Sequence, residues 1–243
     1  MTFVLAIFRL LLLVCLLLIG LLVGAVSFLI PQKVFLYTAR LWHRLVVAIV
    51  GVRLDVAGAE PVNGALLVCN HISWLDISVL GSVCDCVFLS KSEVRSWPVL
   101  GYLVARVGTL FIDRGNGAAA AASLVASALG EGKSVLIFPE GRTTDGMAVR
   151  KFQPRLFQPA MDTASPVQPI SLAYVDSAGR NSSIPSFTGE ESFFHSLWRT
   201  LRSRGLAAIV RVFPPVEHGE TRDELARESE KIVTKSRTSH KFH

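Results

Sequence analysis

The sequence predicts an α/β protein, a mostly parallel β-sheet flanked by helices with a membrane helix at its N-terminal end. Three observations carry that expectation. Short, β-prone apolar runs alternate with helix-like segments along most of the chain, the pattern of strands joined by crossover helices. The runs end in polar or turn-forming residues, as in sheets whose functional loops lie beyond strand ends. Residues 10–30 carry no charge, and about 20 helical residues span a hydrocarbon core.

That apolar stretch explains why 51% of the 243 residues are hydrophobic. A secretory signal is the rival reading, since Arg9 precedes the run and Ala25-Val26-Ser27 resembles a cleavage site. The apolar residues continue through Phe28-Leu29-Ile30, longer than a signal core, which favours a retained anchor. Lys33, Arg40 and Arg44 follow the span, so the positive-inside rule places the rest of the chain in the cytoplasm, at the inner membrane. Residues 34–52 mix apolar side chains with Tyr37, Arg40, Trp42, His43 and Arg44, as in an interfacial helix or an amphipathic core helix. Residues 1–50 are therefore read as the membrane unit and 51–243 as one catalytic domain.

Within that domain, residues 53–56 and 65–69 read as strands and 73–82 as a helix, with Asn70 or Ser73 available to cap it. Residues 87–90 are a strand, 98–106 a short helix and 109–112 a strand. Residues 117–129 form a helix in which Ala118 to Ala122 supply the best helix former. Residues 134–138 and 169–174 are strands, followed by a loop at 177–186. A helix at 190–204, a strand at 207–213 and a helix at 221–234 complete the chain, with a basic, solvated tail beyond.

Net charge is +6, which in an anchored protein suits anionic lipid. No motif or basic–aromatic repeat supports a nucleic-acid partner. The four cysteines have no metal spacing and read as reduced thiols. Gly132-Lys133-Ser134 resembles a phosphate loop, but it leads into a strand instead of opening a helix. Asn181-Ser182-Ser183 fits a glycosylation acceptor that a cytoplasmic domain would not use.

The chemistry concentrates in Asn70-His71-Ile72-Ser73-Trp74-Leu75-Asp76. Histidine takes a proton from an alcohol near neutral pH, and a carboxylate can fix its tautomer and steady the imidazolium. No Ser or Cys nucleophile motif accompanies the pair, so the attacking group is the substrate's own hydroxyl. Five positions are about 140° apart on an ideal helix, so His71 must sit in the strand-to-helix turn and Asp76 in the helix behind it. Phe138-Pro139-Glu140-Gly141 is a strand-end turn whose backbone N–H groups suit a developing oxyanion. Proline has no donor, so Gly141 and its neighbours are the candidates. Glu140 would orient the acceptor or a basic residue.

The His-x4-Asp block, Val107 to Arg114, Phe138-Pro139-Glu140-Gly141 and Val167-Gln168-Pro169-Ile170 occur in one order. Together they resemble the 1-acylglycerol-3-phosphate O-acyltransferase family over residues 42–230. The resemblance implies a glycerolipid acyltransferase-like fold. It also implies transfer of a fatty acyl group from acyl carrier protein or coenzyme A to a lysolipid hydroxyl, first 1-acylglycerol-3-phosphate. His71 would be the base, Asp76 its holder, and Arg114 a clamp for acceptor phosphate, as a guanidinium fork suits phosphate. Lys91 is either a second cation there or a surface charge. No metal or bound cofactor is implied, because activation resides in the thioester. A catalytically silent lipid-binding protein is the rival of another class, against which His71, Asp76, Glu140 and Gly141 all stand. No Gly-x-Ser-x-Gly elbow supports a hydrolase.

One block departs from the family pattern Phe-Pro-Glu-Gly-Thr-Arg-Ser. Here Gly141 is followed by Arg142-Thr143-Thr144-Asp145-Gly146, with arginine one place early. Arg142 would then point away from the usual phosphate position. The Glu-Gly-x-Thr-x-Asp-Gly pattern, with Phe152, Leu156 and Phe157, also resembles lyso-ornithine lipid acyltransferases, whose acceptor carries no phosphate.

Overall fold

The computed structural model describes residues 2–96, 100–112, 117–189, 191–216 and 221–238. Among them, seven strands form one sheet: β1 (Val52–Gly58), β2 (Leu66–Cys69), β3 (Val87–Lys91), β4 (Leu110–Ile112), β5 (Val135–Ile137), β6 (Val167–Val175) and β7 (Leu206–Val212). Their order is β1-β7-β6-β2-β5-β3-β4. β6, β2, β5, β3 and β4 run parallel. β7 is antiparallel to β6, and β1 is parallel to β7. The expected parallel sheet is thus present, with one antiparallel junction. β2 lies between β5 and β6, so the loops after β2 and β5 emerge side by side at their carboxyl ends.

Alternation along β2 sorts the layers. Leu67 and Cys69 face α2 (Gln32–Val50) and α3 (Asp76–Val83), whereas Leu66 and Val68 face α6 (Gly117–Gly130) and α9 (Arg222–Thr238). All nine residues of β6 are buried, a largely apolar run interrupted by Gln168 and Ser171, as in a strand covered on both faces. The short α4 (Ser92–Arg95) and α5 (Leu100–Arg106) connect β3 to β4. α7 (Gln158–Asp162), preceded by a 3₁₀ turn at Pro154–Phe157, has no counterpart in the sequence reading, because five residues with Pro159 show no helical period. α8 (Phe193–Arg202) lies between β6 and β7 in the chain.

α3 begins at Asp76, three residues later than expected. The N–H groups of Ile72 and Ser73 turn back to the Asp76 carboxylate instead of entering a helix. Asn70 does not cap it either, because its amide bridges both backbone groups of Leu172 on β6. α9 runs four residues further than expected, so part of the tail read as solvated is helical and packs against β6.

α1 (Thr2–Ala25) is long and apolar enough to cross a membrane. Contacts with the rest of the protein occur along its length. Phe3 meets Trp198 of α8 edge-on at 5.5 Å, and the Trp42 indole donates to Leu16 O. The Tyr102 hydroxyl donates to Gly24 O. Arg9 donates to Leu201 O and Ser203 O at 2.8 Å, satisfying carbonyls that a helix C-terminus leaves open. Arg40 and Arg44 do the same for Ser82 and Val83 at the end of α3. The outer faces of both N-terminal helices remain exposed and apolar, with Phe8, Leu11, Leu18 and Leu22 on α1 and Tyr37, Leu41 and Leu45 on α2. The inner face of α2 buries Val46, Val47 and Val50 in the core. The core-helix reading of the 34–52 segment therefore holds for its inner face, and its outer face is exposed and apolar.

Candidate active site

His71 occupies the turn after β2 and Asp76 opens α3, the only arrangement that the five-residue spacing allows. His71 Nδ1 lies 2.8 Å from Asp76 Oδ2. The same oxygen accepts the N–H groups of Ile72 at 2.7 Å and Ser73 at 2.9 Å, and Oδ1 accepts the Tyr174 hydroxyl at 2.8 Å. Asp76 is fully buried. Two backbone N–H groups and the Tyr174 hydroxyl already turn donors toward this buried carboxyl, so it faces His71 as an acceptor. Nδ1 must then carry its hydrogen, which leaves Nε2 with the lone pair that a general base needs. The imidazole keeps 19% of its surface exposed. Phe138, the residue after β5, stacks on it at 3.9 Å and 13°.

The loop that carries His71 is fastened from three sides. Glu140 is buried, and its two carboxylate oxygens accept His71 N–H at 2.8 Å and Arg150 N–H at 3.0 Å. Burial raises the Glu140 carboxyl above its ordinary value, opposed by those two backbone donors and by the nearby His71 and Arg237. Thr144 donates its N–H and its hydroxyl to His71 O. Ser73 Oγ donates to Pro185 O, and Phe187 N–H to Ile72 O. Gly146, buried at φ 77°, packs where a Cβ would meet Ile72 at 3.1 Å. The departure at residues 142–146 thus supplies a strut to the His71 loop.

Gly141 sits at φ 75°, and a Cβ there would come within 2.3 Å of Gln153 Nε2. Its N–H donates to Phe138 O at 3.1 Å, closing the turn. Among the described residues, the neighbouring N–H groups of Glu140, Arg142 and Thr143 make no hydrogen bond. The Arg142 side chain is exposed. Lys91 is the last residue of β3, but its side chain lies outside the described residues, as does Arg114 altogether. The structure therefore joins His71, Asp76, Glu140 and Gly141 at the carboxyl ends of β2 and β5. It leaves the expected phosphate ligands without a described position.

Sequence reasoning gave Asn70 a capping role and missed Tyr174, Thr144 and Arg237. The first three act across β2, β6 and the 142–146 loop, which no local pattern pairs. Arg237, on α9, donates to Leu172 O and Gly146 O behind the site. Burial lowers its proton affinity, countered by the surrounding anions Glu140, Asp76 and Asp145 and by Cys69. A row of basic residues in a terminal helix gave no sign that one would turn inward.

These features define an α/β enzyme with a histidine–aspartate dyad at the carboxyl ends of adjacent parallel strands. The Acyltransferase family profile matches residues 53–173. A lyso-ornithine lipid O-acyltransferase of Pseudomonas aeruginosa is 38% identical over 196 residues, covering 80% of this chain and 76% of that protein. A 1-acyl-sn-glycerol-3-phosphate acyltransferase of Neisseria meningitidis is 33% identical over 73% of this chain and 70% of its own. The crystal structure of the 1-acyl-sn-glycerophosphate (LPA) acyltransferase PlsC of Thermotoga maritima superposes with a TM-score of 0.76 at 17% identity, over 99% of this chain and 96% of that one. The chain belongs to the Acyltransferase family and is an acyltransferase with a PlsC-like fold.

Proposed function

We propose that the protein moves a fatty acyl group from a thioester of acyl carrier protein or coenzyme A to the free hydroxyl of a lysolipid. The observation that carries this is the saturated Asp76 carboxylate, which fixes the His71 proton on Nδ1 and leaves Nε2 as base. Nε2 takes the proton of the lysolipid hydroxyl as that oxygen attacks the thioester carbonyl. Asp76 stabilises the imidazolium that results. The N–H groups of Arg142 and Thr143, at the Gly141 turn, hold the tetrahedral oxyanion. Collapse expels the thiolate, which takes the proton back from Nε2 and leaves as free thiol. Glu140 acts at one remove, by fixing the His71 backbone.

Two acceptors fit this chemistry. 1-Acylglycerol-3-phosphate needs cations for its phosphate, which Arg114 and Lys91, with or without the displaced Arg142, would supply. Lyso-ornithine lipid needs none, and it is favoured by the 38% identity to the Pseudomonas aeruginosa protein and by arginine at 142 instead of 143. Both acceptors, offered together with a labelled acyl thioester, decide between them. Preference for the phosphate acceptor that collapses in Arg114→Ala supports the first reading, and preference for the aminolipid supports the second.

We further propose attachment to the cytoplasmic face of the inner membrane through residues 1–50, with 51–243 as the catalytic domain. The basic residues after α1 support that side, as does the cytoplasmic origin of acyl thioesters. The contacts of Phe3, Arg9, Leu16 and Gly24 support an α1 embedded along the domain, its apolar outer face in the lipid, over a span that leaves the domain behind.

A further inference from the structure

We infer that the Phe194–Trp198–Arg202 stripe of α8 is a second membrane-inserting surface, seated beside α1 in a bilayer that carries anionic headgroups. Steps of four residues turn about 40° on a helix, so the three side chains share one sector of α8. Phe194 is 75% exposed, and the ring it meets is the neighbouring Phe193. Trp198 touches Phe3, which is itself followed by exposed Val4, Ile7 and Phe8. The stripe is therefore continuous with the apolar face of α1, and it rests on the proposed attachment of that face.

Charge at the far end of the stripe selects the kind of bilayer. Arg202 is exposed and, among the described residues, makes no ion pair; exposed Arg204 follows it. Arg202, His195, Trp198 and Thr2 line a surface cleft of about 310 Å³, roomy enough for a phosphodiester headgroup. Arg199, which also lines it, is engaged with Glu191, Ile184 O and Ser186 O. Aromatic rings that run into basic residues at helical spacing are the arrangement of helices that lie in an anionic interface.

The base of the same helix is bolted to the catalytic loop. Phe193 meets Trp74 edge-on at 5.5 Å, and the Trp74 indole donates to Ser196 Oγ. Trp74 lies within the His71–Asp76 segment. Insertion of α8 therefore sets the depth of His71 relative to the lipid, so that a lysolipid reaches it sideways from the leaflet.

The test uses the full chain on vesicles of phosphatidylcholine with phosphatidylglycerol, and an environment-sensitive thiol probe quenched by spin-labelled acyl chains. Cys15 is exposed on α1, whereas Cys69 and Cys84 are buried; the half-buried Cys86 is replaced by serine in every protein used. Cys86→Ser labelled at Cys15 reports on α1, and Cys15→Ser/Cys86→Ser/Phe194→Cys reports on α8. Quenching at both positions is expected. Quenching at Cys15 alone overturns the inference while leaving attachment through α1 intact; quenching at neither overturns both. A probe at position 194 already shielded before vesicles are added, and unchanged by them, would put a second copy of the chain on the stripe instead. In parallel, Phe194→Glu should lower vesicle binding about tenfold or more. It should raise the apparent KM for vesicle-borne acceptor with kcat unchanged. Arg202→Gln should remove the phosphatidylglycerol dependence; equal dependence in the variant also overturns the inference.

Discussion

Replacing Asp76 by asparagine separates the charge of the carboxylate from its hydrogen-bonding geometry. An amide can keep every contact if its oxygen takes the place of Oδ2, facing His71 Nδ1, Ile72 N–H and Ser73 N–H. Its NH₂ then faces Tyr174, whose hydroxyl oxygen accepts in place of donating. The reverse orientation would aim two donors at one another twice, at about 1–3 kcal/mol for each unmade bond, so it is not populated. His71 therefore keeps its Nδ1 hydrogen, and Nε2 stays a base. What disappears is the negative charge opposite the imidazolium. A hydrogen bond to a charged group contributes about 1.5–3 kcal/mol, so kcat should fall about 10- to 100-fold with KM for both substrates unchanged. His71→Ala should lose the full contribution of a general base, about 10²- to 10⁴-fold. Steady-state release of thiol, followed in one detergent for wild type and both variants, makes the comparison. An Asp76→Asn loss as large as that of His71→Ala would refute the reasoning, and so would no loss at all.

Other outcomes follow from the same contacts. Tyr174→Phe takes one of four donors from a buried carboxylate and should lower stability by about 1.5–3 kcal/mol in urea unfolding, with a smaller effect on kcat than Asp76→Asn. Gly141→Ala forces a left-handed backbone and a Cβ onto Gln153; it should cost about 1–2 kcal/mol and lower kcat, with the far-UV circular dichroism unchanged. Burial raises the Glu140 carboxyl, so the folded state holds that proton more tightly than the unfolded one. Stability from this group is then present below the ordinary carboxylate value and lost as pH rises through the raised value. Glu140→Gln should accordingly melt progressively better relative to wild type as pH rises above the ordinary carboxylate value, and a difference that does not change with pH would contradict this.

The alternation of strands and helices was legible because most β-prone runs from Leu66 to Val212 are bounded by turn residues and separated by a helical stretch, the exception being the gap between β5 and β6, where the short α7 went unread. Strand direction was not legible. Nothing in Leu206 to Val212 distinguishes an antiparallel neighbour of β6 from a parallel one, since a doubly covered strand is apolar in either case. The dyad could be placed at a strand-to-helix turn from spacing alone, as His71 and Asp76 would diverge on one helix. Its supports could not be placed, because Tyr174 and Asn70 act between strands 98 or more residues apart in the chain. Glu140, read as a residue that orients the acceptor or a basic residue, also holds the His71 backbone. That role depends on β5 lying next to β2, which a one-dimensional pattern does not encode.

The most direct test of the account follows labelled acyl thioester and lysolipid on vesicles, with wild type and His71→Ala at equal bound protein. The variant is expected to float with the vesicles like wild type and to transfer acyl groups at about a hundredth of the wild-type rate or less. Substantial transfer by the bound variant would contradict it, because the proton of the acceptor hydroxyl would then have another destination.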